Sequence, residues 1–221
     1  ALESSDSVTL PKSNSLSIAD KEKRNLIQKI LTLPPSRNDA LIWLARTFVE
    51  QEKYGEAAGL ITILQNDPNL PKRLKPTLDE VNAYWFFKQE QYDSAAVYLE
   101  KTIKSIKNKA DKSRQLFLLA QLFEMTRQFD KASDCYNKSA GKTTSPLMDI
   151  SAHLNNAKMM RSNGNIKELD KSIAALEKMG KKDKYEAYRD IIYYSAGMLS
   201  VQRPDTVKAI AFFKKSLKKN E

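Results

Sequence analysis

Apolar residues recur along this chain with a helical period, in paired short runs separated by a polar break. The clearest pair lies between Gln115 and Ala140. Leu116, Leu119, Ala120 and Phe123 fall at i, i+3, i+4 and i+7, one face of a helix. Thr126–Gln128 interrupts the pattern, and Phe129, Ala132 and Tyr136 then form a second helical face. Two short antiparallel helices with a small residue where they cross make a helical hairpin.

The same pattern repeats. Leu41, Leu44, Ala45 and Phe48 precede Tyr54, Ala57, Ile61 and Leu64, and Ala83 and Phe86 precede Tyr92, Ala95, Leu99 and Ile103. Beyond the central pair, Ala157 and Met160 precede Ile166, Leu169, Ile173 and Leu176. Tyr193, Ala196 and Gly197 precede Ala209, Phe213 and Leu217. The first-helix crossing residues Ala45, Ala83, Ala120, Ala157 and Gly197 are spaced by 38, 37, 37 and 40 residues. The second-helix positions Ala57, Ala95, Ala132, Leu169 and Ala209 keep the same spacing. One register shared by two independent positions predicts an all-α, tetratricopeptide-like α-solenoid of about five hairpins, wound as a right-handed superhelix. The expected units are approximately 38–69, 76–106, 113–144, 150–181 and 188–221, within an array over 36–221. The period exceeds the ~34 residues of the commonest form. The excess falls in the connections at Leu70–Pro76, Lys104–Lys112 and Gly141–Pro146.

Ahead of the array, residues 1–16 carry Ser4, Ser5, Ser7, Ser13, Ser15 and Pro11 without apolar periodicity, and read as a mobile tail. Ser17 is placed to cap a helix over 17–35 through Leu26, Ile27, Ile30 and Leu31, stopped by Pro34–Pro35. No polar capping helix follows the fifth hairpin, so the chain is expected to be a segment of a longer protein.

Composition narrows the chemistry. With 6 Gly and 8 Pro in 221 residues, helix is favoured over strand throughout. Cys135 and His153 are the only residues of their types, which removes an internal disulfide, a cysteine-based zinc site and most histidine-dependent catalysis. There is no Gly-rich phosphate loop, no His-Glu-x-x-His and no Ser–His–Asp set. The reading is therefore non-enzymatic, with no cofactor. Cys135 beside Tyr136 reads as a buried thiol, and His153 as a packing or solvent residue. The formal charge of +10 points to an acidic protein segment, a nucleic acid or an anionic surface. Lys101, Lys104, Lys107, Lys109, Lys112 and Arg114 form one cluster, Lys181, Lys182 and Lys184 another, and Lys214, Lys215, Lys218 and Lys219 a third. These lie in separate repeats, and the aromatics fall mostly at core positions. A nucleic-acid interface, which wants a continuous basic face with stacking platforms, is the alternative to a protein partner.

In such an array the first helices line a groove with residues flanking their core positions. By register these are Ile42, Arg46 and Val49; Glu80, Tyr84, Phe87 and Lys88; Arg114, Phe117, Gln121 and Glu124; Leu154, Lys158 and Arg161; and Ile191, Tyr194 and Met198. Arg46, Lys88, Arg114, Lys158 and Arg161 are candidate carboxylate partners. Tyr84, Phe87, Phe117 and Tyr194 are candidate aromatic anchors, with Gln121 between them. The Lys/Asn clamp of carboxylate-binding repeats is not matched, since Arg46, Tyr84 and Gln121 stand where its asparagine is expected.

Four strings add a more specific likeness: ALIWLARTFVEQEKYGEA (40–57), LPKRLK (70–75), EVNAYWFFKQEQYDSAAVYLEKTI (80–103) and KYEAYRDIIYYSAGM (184–198). Over roughly residues 35–221 the chain resembles the repeat region of the PorW/SprE family, outer-membrane lipoproteins of the type IX secretion and gliding machinery of Bacteroidetes. The resemblance implies a scaffold on the periplasmic side of the outer membrane, anchored by a lipidated N-terminal cysteine outside this sequence. It also implies partners among the translocon and the periplasmic ring and motor components, and no catalytic residues.

Overall fold

A computed structural model describes residues 17–22, 25, 27, 32–162 and 166–218. Among the described residues ten α-helices pair in chain order: α1 (Arg37–Glu50) with α2 (Tyr54–Asn66), α3 (Lys75–Lys88) with α4 (Tyr92–Ile103), and α5 (Lys109–Met125) with α6 (Phe129–Ala140). Then α7 (Pro146–Ser162) pairs with α8 (Ile166–Gly180), and α9 (Arg189–Gln202) with α10 (Thr206–Leu217). Short 3₁₀ turns at Lys72–Leu74 and Asp183–Tyr188 precede α3 and α9. There is no strand among the described residues. The helical-hairpin repeat expected from the spacing is the fold.

Helix boundaries follow local chemistry. Asn108 caps α5 by accepting from the Ala110 N–H at 2.8 Å, and Asp205 caps α10 by accepting from Lys208 N–H at 3.0 Å. The turns inside the first three hairpins are the same structure each time. Glu52, Glu90 and Arg127 stand at φ 60°, 59° and 58°. The next residue donates back to the carbonyl five positions earlier, Lys53 to Phe48, Gln91 to Phe86 and Gln128 to Phe123, at 2.8–3.0 Å. This is a Schellman ending, with a left-handed residue that turns the chain into the second helix.

The chain divides into two compact units, residues 1–78 and 79–221. In the second unit α4 packs on α5, α5 on α6, α6 on α7, α7 on α8, α8 on α9 and α9 on α10. One core gathers Ala83, Ala95, Leu99, Leu116, Leu119, Ala120, Phe123, Ala132 and Tyr136. Another gathers Ala157, Leu169, Ile173, Leu176, Tyr185, Ile192, Ala196 and Phe212. All five crossing residues are buried. At Gly197 the reason is explicit: a Cβ there would lie 2.6 Å from the Phe213 ring, closer than two carbons approach. Expected core positions Met160 and Ile166 lie outside the described side chains, and Leu217 is 70% exposed rather than packed.

The first unit departs from expectation twice. Its hairpin buries Ile42, Ala45 and Val49 of α1 with Ala57, Ile61 and Leu64 of α2, while Leu44 is exposed. The core-facing stripe is thus turned by about one residue, 100° on a helix, and Ile42 and Val49 are core rather than groove residues. Apolar side chains run almost unbroken from Ala40 to Ala45, so either stripe satisfies the period.

The second departure concerns Ser17. Residues 17–22 are not helical, so Ser17 does not open a helix there. Its hydroxyl donates to Asp67 at 2.6 Å, and Ile18 and Ala19 N–H donate to the same carboxylate at 2.8 and 2.9 Å. The segment is drawn out along the first hairpin because folded side chains replace the hydrogen bonds that a helix would supply. Ile27 is helical, whereas Leu26, Ile30 and Leu31 and the expected tail at 1–16 lie outside the described residues.

Candidate interaction surfaces

Two first helices of the second unit, α5 and α9, each carry a stripe of exposed residues. On α5, Arg114, Leu118, Gln121 and Met125 follow each other at i, i+4, i+7 and i+11, and Leu118 and Met125 are 50% and 53% exposed. On α9, Ile191, Tyr194, Met198 and Val201 form a second exposed stripe at i, i+3, i+7 and i+10. Such side chains could have been buried by a one-residue turn of either helix. They stay outside because Leu116, Leu119 and Phe123, or Ile192, Ala196 and Leu199, already fill the inner face.

The residues expected at a groove divide by environment. Gln121 and Lys158, one residue past their crossing positions, are exposed, and the Lys158 ammonium reaches Asn155 Oδ1 at 3.4 Å. Tyr194 is 54% exposed with its ring tilted on Phe213, 6.0 Å between centroids. Arg114 is exposed and pairs with Asp111 at 3.3 Å. Phe87 is 40% exposed and tilts onto Tyr92, and Tyr84 is half-buried under the Lys88 ammonium, 5.9 Å from its ring centre. Arg46, in the first unit, lies over the Trp43 ring at 5.4 Å. The Arg161 side chain lies outside the described residues.

Phe117 is a different case. It is half-buried, edge-on to Tyr136 at 5.2 Å, and packs against the core. Glu124 is held too, since its carboxylate accepts from the buried Tyr136 hydroxyl at 2.8 Å. The outward apolar residues of this helix are Leu118 and Met125. Their signal in the sequence was the i, i+4, i+7, i+11 run from Arg114, which competes with the core period of the same helix.

Polar contacts fix the hairpins. Ser113 and Ser139, both fully buried, each donate to the other's carbonyl at 2.9 Å. Between α6 and α7, the Ser133 hydroxyl donates to Asn156 Oδ1 at 2.5 Å, and Asn156 donates to Asn137 at 2.9 Å. On α7 the Asp149 carboxylate accepts from the buried Tyr185 hydroxyl and faces His153 at 3.5 Å and Lys184 at 3.8 Å. Burial pushes the Cys135 thiol up to about 11, so it remains a protonated thiol at neutral pH. A pocket of about 610 Å³ lies between α8 and the start of α10. Ile173, Ala174, Val207 and Phe212 line it beside the Arg203–Asp170 ion pair of 2.9 Å.

No family model matches the chain, and no curated protein matches it. Solved structures do. A putative kinesin light chain with TPR-like repeats from Podospora anserina superposes with a TM-score of 0.59 at 15% identity, covering 84% of this chain and 95% of that one. BtubC (BKLC) from P. vanneervenii gives 0.54 at 17% identity, over 84% and 82%. YrrB, described as a TPR protein with an unusual peptide-binding site, gives 0.55 at 14% identity, over 81% and 84%. At these identities the likeness establishes the fold, a TPR-like array of helical hairpins.

Proposed function

We propose that this chain is a non-enzymatic scaffold that binds segments of other proteins on the exposed face of its first helices. The observation that carries this reading is the pair of outward apolar stripes, Leu118 with Met125 on α5 and Tyr194 with Met198 on α9, in a unit whose interior is already filled. Exposed apolar residues along one face of each of these helices, with the exposed cations Arg114 and Lys158, suit a partner presenting apolar side chains among carboxylates. YrrB, a structural neighbour described as having a peptide-binding site, is consistent with that use.

The finer reading places the scaffold in the type IX secretion and gliding machinery, on the periplasmic side of the outer membrane, bridging translocon and ring or motor components. It rests on the four strings that resemble PorW/SprE repeats. The membrane enters only through a lipid anchor outside this sequence.

The test is site-specific photocrosslinking in envelope fractions of a gliding bacterium. A photoreactive residue at Leu118 or Tyr194 is expected to capture a defined protein, and one at Val97, exposed on the second helix α4, is not. Equal capture from all three sites would remove the first-helix reading. Capture of proteins outside the secretion machinery would remove the finer assignment and leave the scaffold. Affinity for arbitrary DNA that collapses as salt rises would favour a nucleic-acid binder instead.

A further inference from the structure

The segment Ser17–Glu22 is held in the way a receptor holds a peptide. Asn38, in the first turn of α1 and fully buried, accepts from the Asp20 N–H and donates to the Asp20 carbonyl, both at 2.9 Å. A primary amide thus matches both hydrogen-bonding groups of one residue's backbone. Asp67, which ends α2 and is 8% exposed, accepts from two successive backbone N–H groups, those of Ile18 and Ala19, and from the Ser17 hydroxyl. Asn69 supports the grip, its N–H donating to Asp67 and its amide to the Ser17 oxygen, each at 2.8 Å. Arg73 forks at 2.7 Å to Glu22 and to Asp39.

Four of these bonds go to backbone groups of three successive residues, Ile18, Ala19 and Asp20, and read an extended chain, while the others go to the Ser17 and Glu22 side chains. Selectivity comes from three places. Ala19 is 4% exposed, which admits a small side chain only. Arg37 faces Asp20 at 3.4 Å, and Arg73 faces Glu22 at 2.7 Å. Carboxylates are therefore recognised one and three residues after the small one. Arg73 is held in place by Asp39, and Asn38 and Asp67 are set by the ends of two packed helices. Without the segment, Asn38 would lose both backbone partners of its buried amide, and Asp67 would lose three of the four donors it has among the described residues. A buried amide and carboxylate left so strongly favour being filled.

We propose that the cradle of Asn38, Asp67 and Arg73 is a peptide-binding site that the chain's own Ser17–Glu22 fills in cis. It accepts in trans an extended acidic segment of the form small residue–Asp–x–Glu. The site belongs to the first unit and is independent of the first-helix stripes on α5 and α9. Tethering gives the internal segment an effective concentration on the order of millimolar, so an external peptide binds measurably only when the internal one is expelled or outcompeted.

The test uses the full chain carrying Ala19→Arg, whose side chain has no room at the buried position, and a fluorescent synthetic peptide of sequence SIADKEK. Anisotropy is expected to show at least tenfold tighter binding to Ala19→Arg than to the unmodified chain. That binding should fall at least tenfold again on adding Asn38→Ala, and be unchanged on adding Leu118→Ala with Met125→Ala. In parallel, millimolar peptide added to the unmodified chain is expected to speed hydrogen exchange of the Ile18 and Ala19 amides. If helical circular dichroism is retained and Ala19→Arg binds no better than the unmodified chain, or Asn38→Ala changes nothing, the proposal is overturned. If Ala19→Arg does not fold, unchanged exchange at Ile18 and Ala19 under millimolar peptide overturns it.

Discussion

Ser113 and Ser139 form a closed pair, each hydroxyl donating to the other's backbone carbonyl at 2.9 Å with the two oxygens 3.0 Å apart, across the open end of the α5–α6 hairpin. Both residues are fully buried, so neither has water as an alternative partner. Removing one hydroxyl leaves the other residue's carbonyl without its side-chain donor, and costs about 1–2 kcal/mol. Ser113→Ala with Ser139→Ala is expected to cost less than the sum of the single changes, by at least about 0.5 kcal/mol. Urea denaturation of the four proteins in this cycle measures the coupling, and strict additivity would show that the two bonds act separately.

The left-handed residues of the hairpin turns are open to improvement. Glu52, Glu90 and Arg127 hold φ near 60°, a region that costs a side-chain-bearing residue about 1–2 kcal/mol relative to right-handed backbone. Glycine enters it without a Cβ clash but gains entropy in the unfolded chain. Glu90→Gly and Arg127→Gly are each expected to stabilise by about 0.5–1 kcal/mol, and Arg127→Val to destabilise. Thermal melts in one buffer suffice to check the order.

Cys135 is expected to be inert in the folded protein. It is 6% exposed, and burial raises its pKa to about 11, with Asp134 and Glu100 adding to the rise and Lys138 opposing it. Alkylation by iodoacetamide at pH 8 is expected to follow unfolding, becoming fast only in denaturant. Rapid stoichiometric labelling of the native chain would contradict this.

Stability is expected to decline as pH falls through the histidine range, and His153 is the only histidine. Burial holds its pKa below the ordinary 6.5, and the attraction of Asp149 opposes that shift without overcoming it. Lys184 and Tyr185 approach the same carboxylate from the 3₁₀ turn. A base with a depressed folded pKa binds fewer protons folded than unfolded. Its stabilising contribution is therefore full above about 6.5 and is lost as pH drops from 6.5 toward the folded value. His153→Gln is expected to flatten the fall in denaturation midpoint between pH 7 and 5. An equal slope in both proteins would place the dependence elsewhere.

Much of this architecture is readable from the amino acids alone, since the small crossing residues Ala45, Ala83, Ala120, Ala157 and Gly197 are constrained by the approach of two backbones and recur in register. Orientation is less readable where apolar residues surround a helix. From Ala40 to Ala45 the period does not decide between Leu44 and Ile42, and only the packing of α1 on α2 selects Ile42. The exposed positions Gln121, Lys158 and Tyr194 follow from register. The half-burial of Phe117 does not, because it depends on the Tyr136 ring contributed by the next helix. The extended Ser17–Glu22 was hidden for a related reason. Its partners Asn38 and Asp67 stand 18 and 48–50 residues away, beyond the reach of any local propensity.

The Ser133–Asn156–Asn137 chain of hydrogen bonds between α6 and α7 bears on how this stack responds to force. Apolar contacts fade gradually as surfaces slide, whereas a hydrogen bond weakens steeply once its geometry is lost. A junction keyed by an asparagine fits one register only. It resists the first ångström of displacement and offers little resistance after that. Pulled along its axis, the stack would behave here as a catch that holds and then releases, not as a spring.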